Sequence, residues 1–116
     1  MEIERRHPNE RMSQSVAYGD TVYLSGQVAR NAPGEPAAAQ TADILAAIDG
    51  LLAEAGSDKS KLLNAVIWLH DIREFDNINA VWNAWIDPKN PPARTCVEST
   101  LANPLYNVEI MVVAAR

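Results

Sequence analysis

A chain of 116 residues, with ten Lys and Arg against fifteen Asp and Glu and a net charge of −5, is long enough for one domain with a real core and too short for two. Its scattered cations lack the concentrated basic surface that phosphate contact needs, so no nucleic-acid partner is expected. One cysteine and two histidines at no ligand spacing exclude an internal disulfide and argue against a structural zinc; no run reaches the ~20 apolar residues that span a bilayer, and a soluble, cytoplasmic protein with no membrane partner is the expectation.

Met1 to His7 reads as a mixed edge strand closed by Pro8-Asn9. Ser13 to Tyr18 and Thr21 to Ala29 flank Gly19-Asp20, a two-residue connection suited to a tight hairpin. Ser25-Gly26-Gln27 interrupts the second of these strands. Glycine inside a strand marks a bulge or a place where a backbone or ligand comes close, and the Ser25 hydroxyl either caps that irregularity or touches the ligand.

After the Asn31 to Pro36 loop, Pro36 stands near the first position of a helix over Ala37 to Ala55. Thr41, Ile44, Leu45, Ile48, Leu51, Leu52 and Ala55 form its apolar face, and Gly56 ends it. Lys61 to His70 reads as a buried strand with Leu63, Ala65, Ile67 and Leu69 on one parity and Leu62, Val66 and Trp68 on the other. Asp71, with Glu74 three residues on, caps a second helix whose stripe is Phe75, Ile78, Trp82, Trp85 and Ile86, stopped by Asp87-Pro88. The aromatic rings read as core rather than as a stacking platform. Asn79 borders that stripe, as a satisfied boundary amide or as a site group, and His70 reads as a surface or capping histidine.

Two runs close the chain, Ala93 to Ser99 and Tyr106 to Ala114, with Asn103-Pro104 as the turn signal of an antiparallel hairpin. Register then sets Cys96 opposite Glu109 and Arg94 opposite Met111 on one face, with Arg94 and Glu109 diagonal neighbours roughly 7–8 Å apart. Glu109 lies inside Val108 to Val113, apolar on both parities, so its carboxylate must be paired, hydrogen-bonded or in a cleft. Two readings stay open: a structural Arg94–Glu109 salt bridge, or a site where the guanidinium holds a ligand carboxylate and Glu109 handles a proton or a water. The element order makes an α+β chain, at most six strands with two helices covering one sheet face. Since two strands are apolar on both parities, the second face also needs cover, which argues for self-association.

The run PPARTCVESTLANPLYNVEI, with SGQVA near the start and FDNINAVWNAW before it, resembles the Rid (YjgF-type) family of reactive-intermediate deaminases over nearly the whole chain. The resemblance implies a chorismate-mutase-like single domain over residues 1–116, a mostly antiparallel mixed sheet, and homotrimers with sheets inward, helices outside and sites in the clefts between subunits. It also implies hydrolysis of 2-imino acids and their enamine tautomers, such as 2-aminoacrylate, to 2-oxo acids and ammonia, with no metal or organic cofactor. By motif, Arg94 would grip the substrate carboxylate, Glu109 would position water and shuttle a proton, and Cys96 would offer main-chain groups and a wall. Ser25, Gly26 and Asn79 match further pocket positions. One departure stands out: where many members carry Gly-Pro-Tyr before Ser-Gln, this chain has Glu10-Arg11-Met12 before Ser13-Gln14, so the pocket tyrosine is missing unless Tyr18 or Tyr106 replaces it. The rival reading is a non-catalytic trimeric module binding small carboxylates such as 2-oxo acids; endoribonuclease activity, attached to some relatives, fits the acidic charge poorly.

Overall fold

The computed structural model describes residues 1–116. Strands β1 (Ile3–Arg6), β2 (Ser15–Tyr18), β3 (Thr21–Leu24) and β4 (Gln27–Val28) precede helix α1 (Ala37–Glu54); β5 (Leu62–Leu69), α2 (Phe75–Trp85), β6 (Ala93–Glu98) and β7 (Val108–Ala115) follow. They form one sheet in the order β1-β2-β3-β7-β5-β6, with β4 also on β7. Tyr23 pairs with Val113 and Gln27 with Ile110, so Leu24, Ser25 and Gly26 stand against only Met111 and Val112. One extra residue makes this a β-bulge, and β3 and β4 are two parts of one bent strand. The expected six-stranded sheet is therefore present, antiparallel except for the β5/β6 pair.

Both helices lie on one face. Helix α1 starts after Pro36, buries Ala37, Gln40, Thr41, Ile44, Leu45, Ile48 and Leu52, and ends before Gly56 at φ 80°, where a left-handed residue is needed. Asp71 caps a single 3-10 turn rather than α2 itself: its side chain accepts from the Arg73 N–H at 3.0 Å. Glu74 does not close a capping box but accepts from Asn77 Nδ2 at 2.8 Å, and the Ile72 N–H is met by Glu98 Oε2 at 2.9 Å. A register shift between Leu62 and Asn64 moves Leu63 off the buried parity, leaving it exposed while Leu62, Ala65, Ile67 and Leu69 enter the core.

The terminal hairpin does not form. β5 lies between β6 and β7, parallel to the first and antiparallel to the second. Two features of the chain favour this. β6, reading Ala-Arg-Thr-Cys-Val-Glu, is polar enough to tolerate an edge. The β5-α2-β6 segment is also a parallel crossover, which lays its two strands side by side. The β6–β7 connection passes the end of β5, where the Ser99 N–H donates to Leu69 O and the His70 N–H to Asn107 O, both at 2.9 Å.

On the face away from the helices, Val16, Tyr23, Val66, Trp68, Met111 and Val113 form an apolar surface that nothing in the chain covers, and Tyr23 is 50% exposed. The uncovered second face expected from the two-sided apolar strands is present.

Candidate functional site

In the row Arg94–Ala65–Val112 the side chains point to the helix face; in the row Val97–Trp68–Glu109 they point to the open face. Arg94 and Glu109 are therefore on opposite sides of the sheet, two strands and three residues apart, about 14 Å along the backbone grid. The expected convergence of Arg94, Cys96 and Glu109 on one face of one chain is overturned, and with it the intrachain Arg94–Glu109 salt bridge. Inserting β5 adds one strand spacing and changes the register parity between the two residues. The six residues picked from the sequence fall into two clusters instead.

The first cluster is at the sheet edge, beside α2. Arg94 Nη1 donates to Asn79 Oδ1 at 2.8 Å, and the guanidinium carbon lies 5.3 Å from the Trp82 ring centre and 5.8 Å from that of Phe75. Cation–π contact and the Asn79 carbonyl fix its plane. No carboxylate pairs with it, and it opens on a cleft of about 310 Å³ lined also by Asn79, Trp82, Asn83, Pro91 and Pro92. Asn79 is thus an arginine-holding amide rather than an idle boundary residue. Phe75, expected in the core, is exposed beside the guanidinium, so this ring and that of Trp82 are site groups that the apolar stripe concealed. Cys96, half-buried against the core, has its thiol pushed up by burial, with the nearby Arg94 charge pulling the other way to a lesser degree. A protonated thiol is a wall, not a nucleophile.

The second cluster is on the open face. The Glu109 carboxylate rests against Gly26, where an added Cβ would come within 2.2 Å of Oε2. No side chain pairs with it, and desolvation raises its pKa above the ordinary carboxylate value. Ser25 belongs to the bulge beneath. Its Oγ donates to Gln14 Oε1 at 3.1 Å, and Gln27 Nε2 donates to Gln14 Oε1 at 2.9 Å and to Ser25 O and Oγ at 3.1 Å each. The hydroxyl is engaged in capping the irregularity. Neither glutamine stood out as a site group in the sequence: by alternation Gln27 falls with the exposed Tyr23, and only the extra residue of the bulge turns it to the buried side.

Neither tyrosine stands in for the missing one within the chain. Tyr18 lies across from Thr21 and Ala115, six residues or about 20 Å along β7 from Glu109, and Tyr106 packs against the core. Met12 is exposed. No three His, Cys, Asp or Glu side chains gather as metal ligands, and no helix is long and apolar enough to cross a membrane.

Fold and site together define a small α+β protein with an unpaired, plane-fixed guanidinium at one sheet edge and an unpaired carboxylate on a bare apolar face. The sequence model described as Endoribonuclease L-PSP matches residues 3–116, and the chain belongs to that family, the YjgF/Rid type. It is 41% identical over 115 residues to the RutC family protein YoaB of Escherichia coli, covering 99% of both chains. A RutC family protein of Haemophilus influenzae is 39% identical over 114 residues, with 98% of each covered. Among solved structures, a YjgF-family protein of Neisseria meningitidis superposes with a TM-score of 0.96 at 46% identity, covering 100% of this chain and 96% of the other. An uncharacterized protein of Pseudomonas aeruginosa gives 0.95 at 37% identity and 99% coverage of both.

Proposed function

We propose that this protein hydrolyses small 2-imino acids and their enamine tautomers to 2-oxo acids and ammonia, at a site completed between copies of the chain. The observation that carries this reading is the pair of orphaned charges: a guanidinium with no acid and a carboxylate with no base, on opposite faces of one sheet. One chain cannot join them, but two can, if the open face of one copy meets the β6 edge of another. That same contact covers the apolar surface around Trp68 and Met111. It is head-to-tail and closes as a ring, three copies in the arrangement the family resemblance implies.

In that cleft the fork of Arg94 binds the substrate carboxylate in two parallel hydrogen bonds, a geometry lysine cannot supply. The C=N carbon is already electrophilic, so the protein's task is to fix the substrate and aim a water. Glu109 takes a proton from that water as its oxygen bonds to the imine carbon and delivers it to the imine nitrogen, giving a carbinolamine. It then takes the carbinol O–H proton and passes it to the amine nitrogen as the C–N bond breaks, leaving C=O and ammonia. Neutral Cys96 closes the wall beside the clamp.

The test is complementation. Arg94→Ala and Glu109→Gln are each expected to abolish acceleration of 2-iminopropanoate decay, generated by an amino-acid oxidase and followed by semicarbazide trapping. Unfolded together and refolded as mixed rings, the two variants recover about a quarter of wild-type sites, because a site is intact when each neighbour supplies its unmutated half. Zero recovery in rings shown to be mixed places both residues in a single-chain site and refutes the reading. Absence of acceleration in the wild type, beside saturable pyruvate binding, would make the protein a small-carboxylate binding module instead.

A further inference from the structure

A second cleft, about 390 Å³, lies on the helix side between α1 and the loops at the ends of β1 and β4; Arg94, Cys96 and Glu109 do not line it, and it shares with the site above only Gln14 and Gln27, the amides that fasten the Ser25-Gly26 bulge. We infer that this cleft is a separate binding site for a small α-amino acid, whose carboxylate pairs with Arg30 and whose ammonium donates to the Gln27 side-chain carbonyl. The inference goes beyond the proposed reaction and does not depend on it.

The choice of ligand follows from which polar groups in the cleft are already engaged. Glu54 contacts His7 Nε2 at 2.6 Å, and Asp43 accepts from the Asn31 N–H at 3.1 Å and from its Nδ2 at 3.3 Å. Three groups are left over: Gln14 Nε2, whose amide is used only through its oxygen, Gln27 Oε1 and Arg30. Gln27 is only 4% exposed, and its Nε2 is held by three oxygens of Gln14 and Ser25, which leaves Oε1 accepting nothing. That oxygen reaches solvent at the cleft, where it is open to a ligand's N–H. Arg30, on the same cleft, makes no side-chain hydrogen bond or ion pair. One free acceptor, with a free amide donor and a free guanidinium, complements a zwitterion that carries a donor and a carboxylate on adjacent atoms.

Two further features shape the space. Gly50 sits in the interior of α1, where alanine is the better helix former, yet a Cβ there would meet nothing within 4 Å. No turn or close approach requires a glycine, and its effect is to leave the cleft wall open. His7, a non-glycine residue at φ 51°, carries its ring to Glu54 and forms the rim. An occupant bonded to Gln27 would touch the amide that fastens the Ser25-Gly26 bulge, so Gly26 should sense it.

The test is an amide NMR titration of the full chain with L-alanine, with ethylamine and propanoate as probes carrying one charge each. Saturable shifts at Arg30, Gly50 and the Gln27 side-chain amide are expected, with Gly26 following, and the single-charge probes should bind at least about tenfold more weakly. Gly50→Leu, checked for an unchanged helical spectrum, should abolish the shifts, and the surface change Arg30→Ala should weaken binding about tenfold. Arg94→Ala, which removes the imine clamp, should leave binding unchanged. No saturable shift, or shifts confined to the Asn79–Arg94 cleft and lost in Arg94→Ala, overturns the inference.

Discussion

The contact between Gly26 and Glu109 can be turned into a number. In Gly26→Ala the new methyl would lie 2.2 Å from Oε2, 2.9 Å from the carboxyl carbon and 3.2 Å from the next carbon of Glu109. Ordinary contact begins near 3.4 Å, so the carboxylate oxygen must retreat by 3.4 minus 2.2, about 1.2 Å. Everything in the way is the far end of one flexible side chain, and Gly26 does not occupy the left-handed region, so the backbone accepts alanine. Loss of unfolded-state freedom then stabilises by about 0.4–1 kcal/mol. An off-rotamer Glu109 costs about 0.5–1.5 kcal/mol. These nearly cancel, and the melting temperature should move by no more than about 4 °C.

The rate should not survive so well. Displacing a reacting group by about 1 Å costs on the order of a hundredfold, equivalent to ~2.7 kcal/mol of barrier. The assay is semicarbazide-trapped decay of 2-iminopropanoate, run beside thermal unfolding by circular dichroism. In a Glu109→Ala background the added Gly26→Ala should raise the melting temperature, since the group it crowds is gone and only the loss of unfolded-state freedom remains. An active Gly26→Ala, or no rise in the double variant, would show that the glycine's role is not to seat Glu109.

Arg94→Lys keeps the charge and loses the fork, so KM for 2-iminopropanoate should rise at least about tenfold in steady-state kinetics while the fold is unchanged. The acid limb of the kcat/KM profile should reflect Glu109: burial raises its carboxyl above 4.5 and the reaction needs the unprotonated form. The rate therefore climbs as pH rises through a value above that of a free glutamate, and Glu109→Gln removes the limb with the activity. Val113→Asp puts a charge on the bare sheet face and should yield a folded single chain by light scattering, inactive for want of a neighbour.

How far the fold could be read from the sequence depended on what each residue pattern encodes. The α1 stripe from Thr41 to Ala55, the Gly56 stop and the Ser25-Gly26 irregularity are local chemistry, and all appear where the chain places them. The two-sided apolar run of β7 correctly announced a second face in need of cover. Strand adjacency is a different kind of information. Hydrophobic parity says how many faces a strand buries and is silent about which strand lies beside it, so nearness in sequence filled the gap and joined β6 to β7. The polarity of β6 and the crossover through α2 already favoured an edge position beside β5.

That one correction changes the meaning of the site. With β6 and β7 adjacent, Arg94 and Glu109 could have satisfied each other, and neither charge would have called for anything outside the chain. With β5 between them, each is left without a partner on a different face, next to surface that a single copy cannot cover. In the proposed assembly the uncompensated charges and the bare sheet are one requirement, and a neighbouring copy that buried Trp68 and Met111 against the Asn79–Arg94 edge would meet both at once.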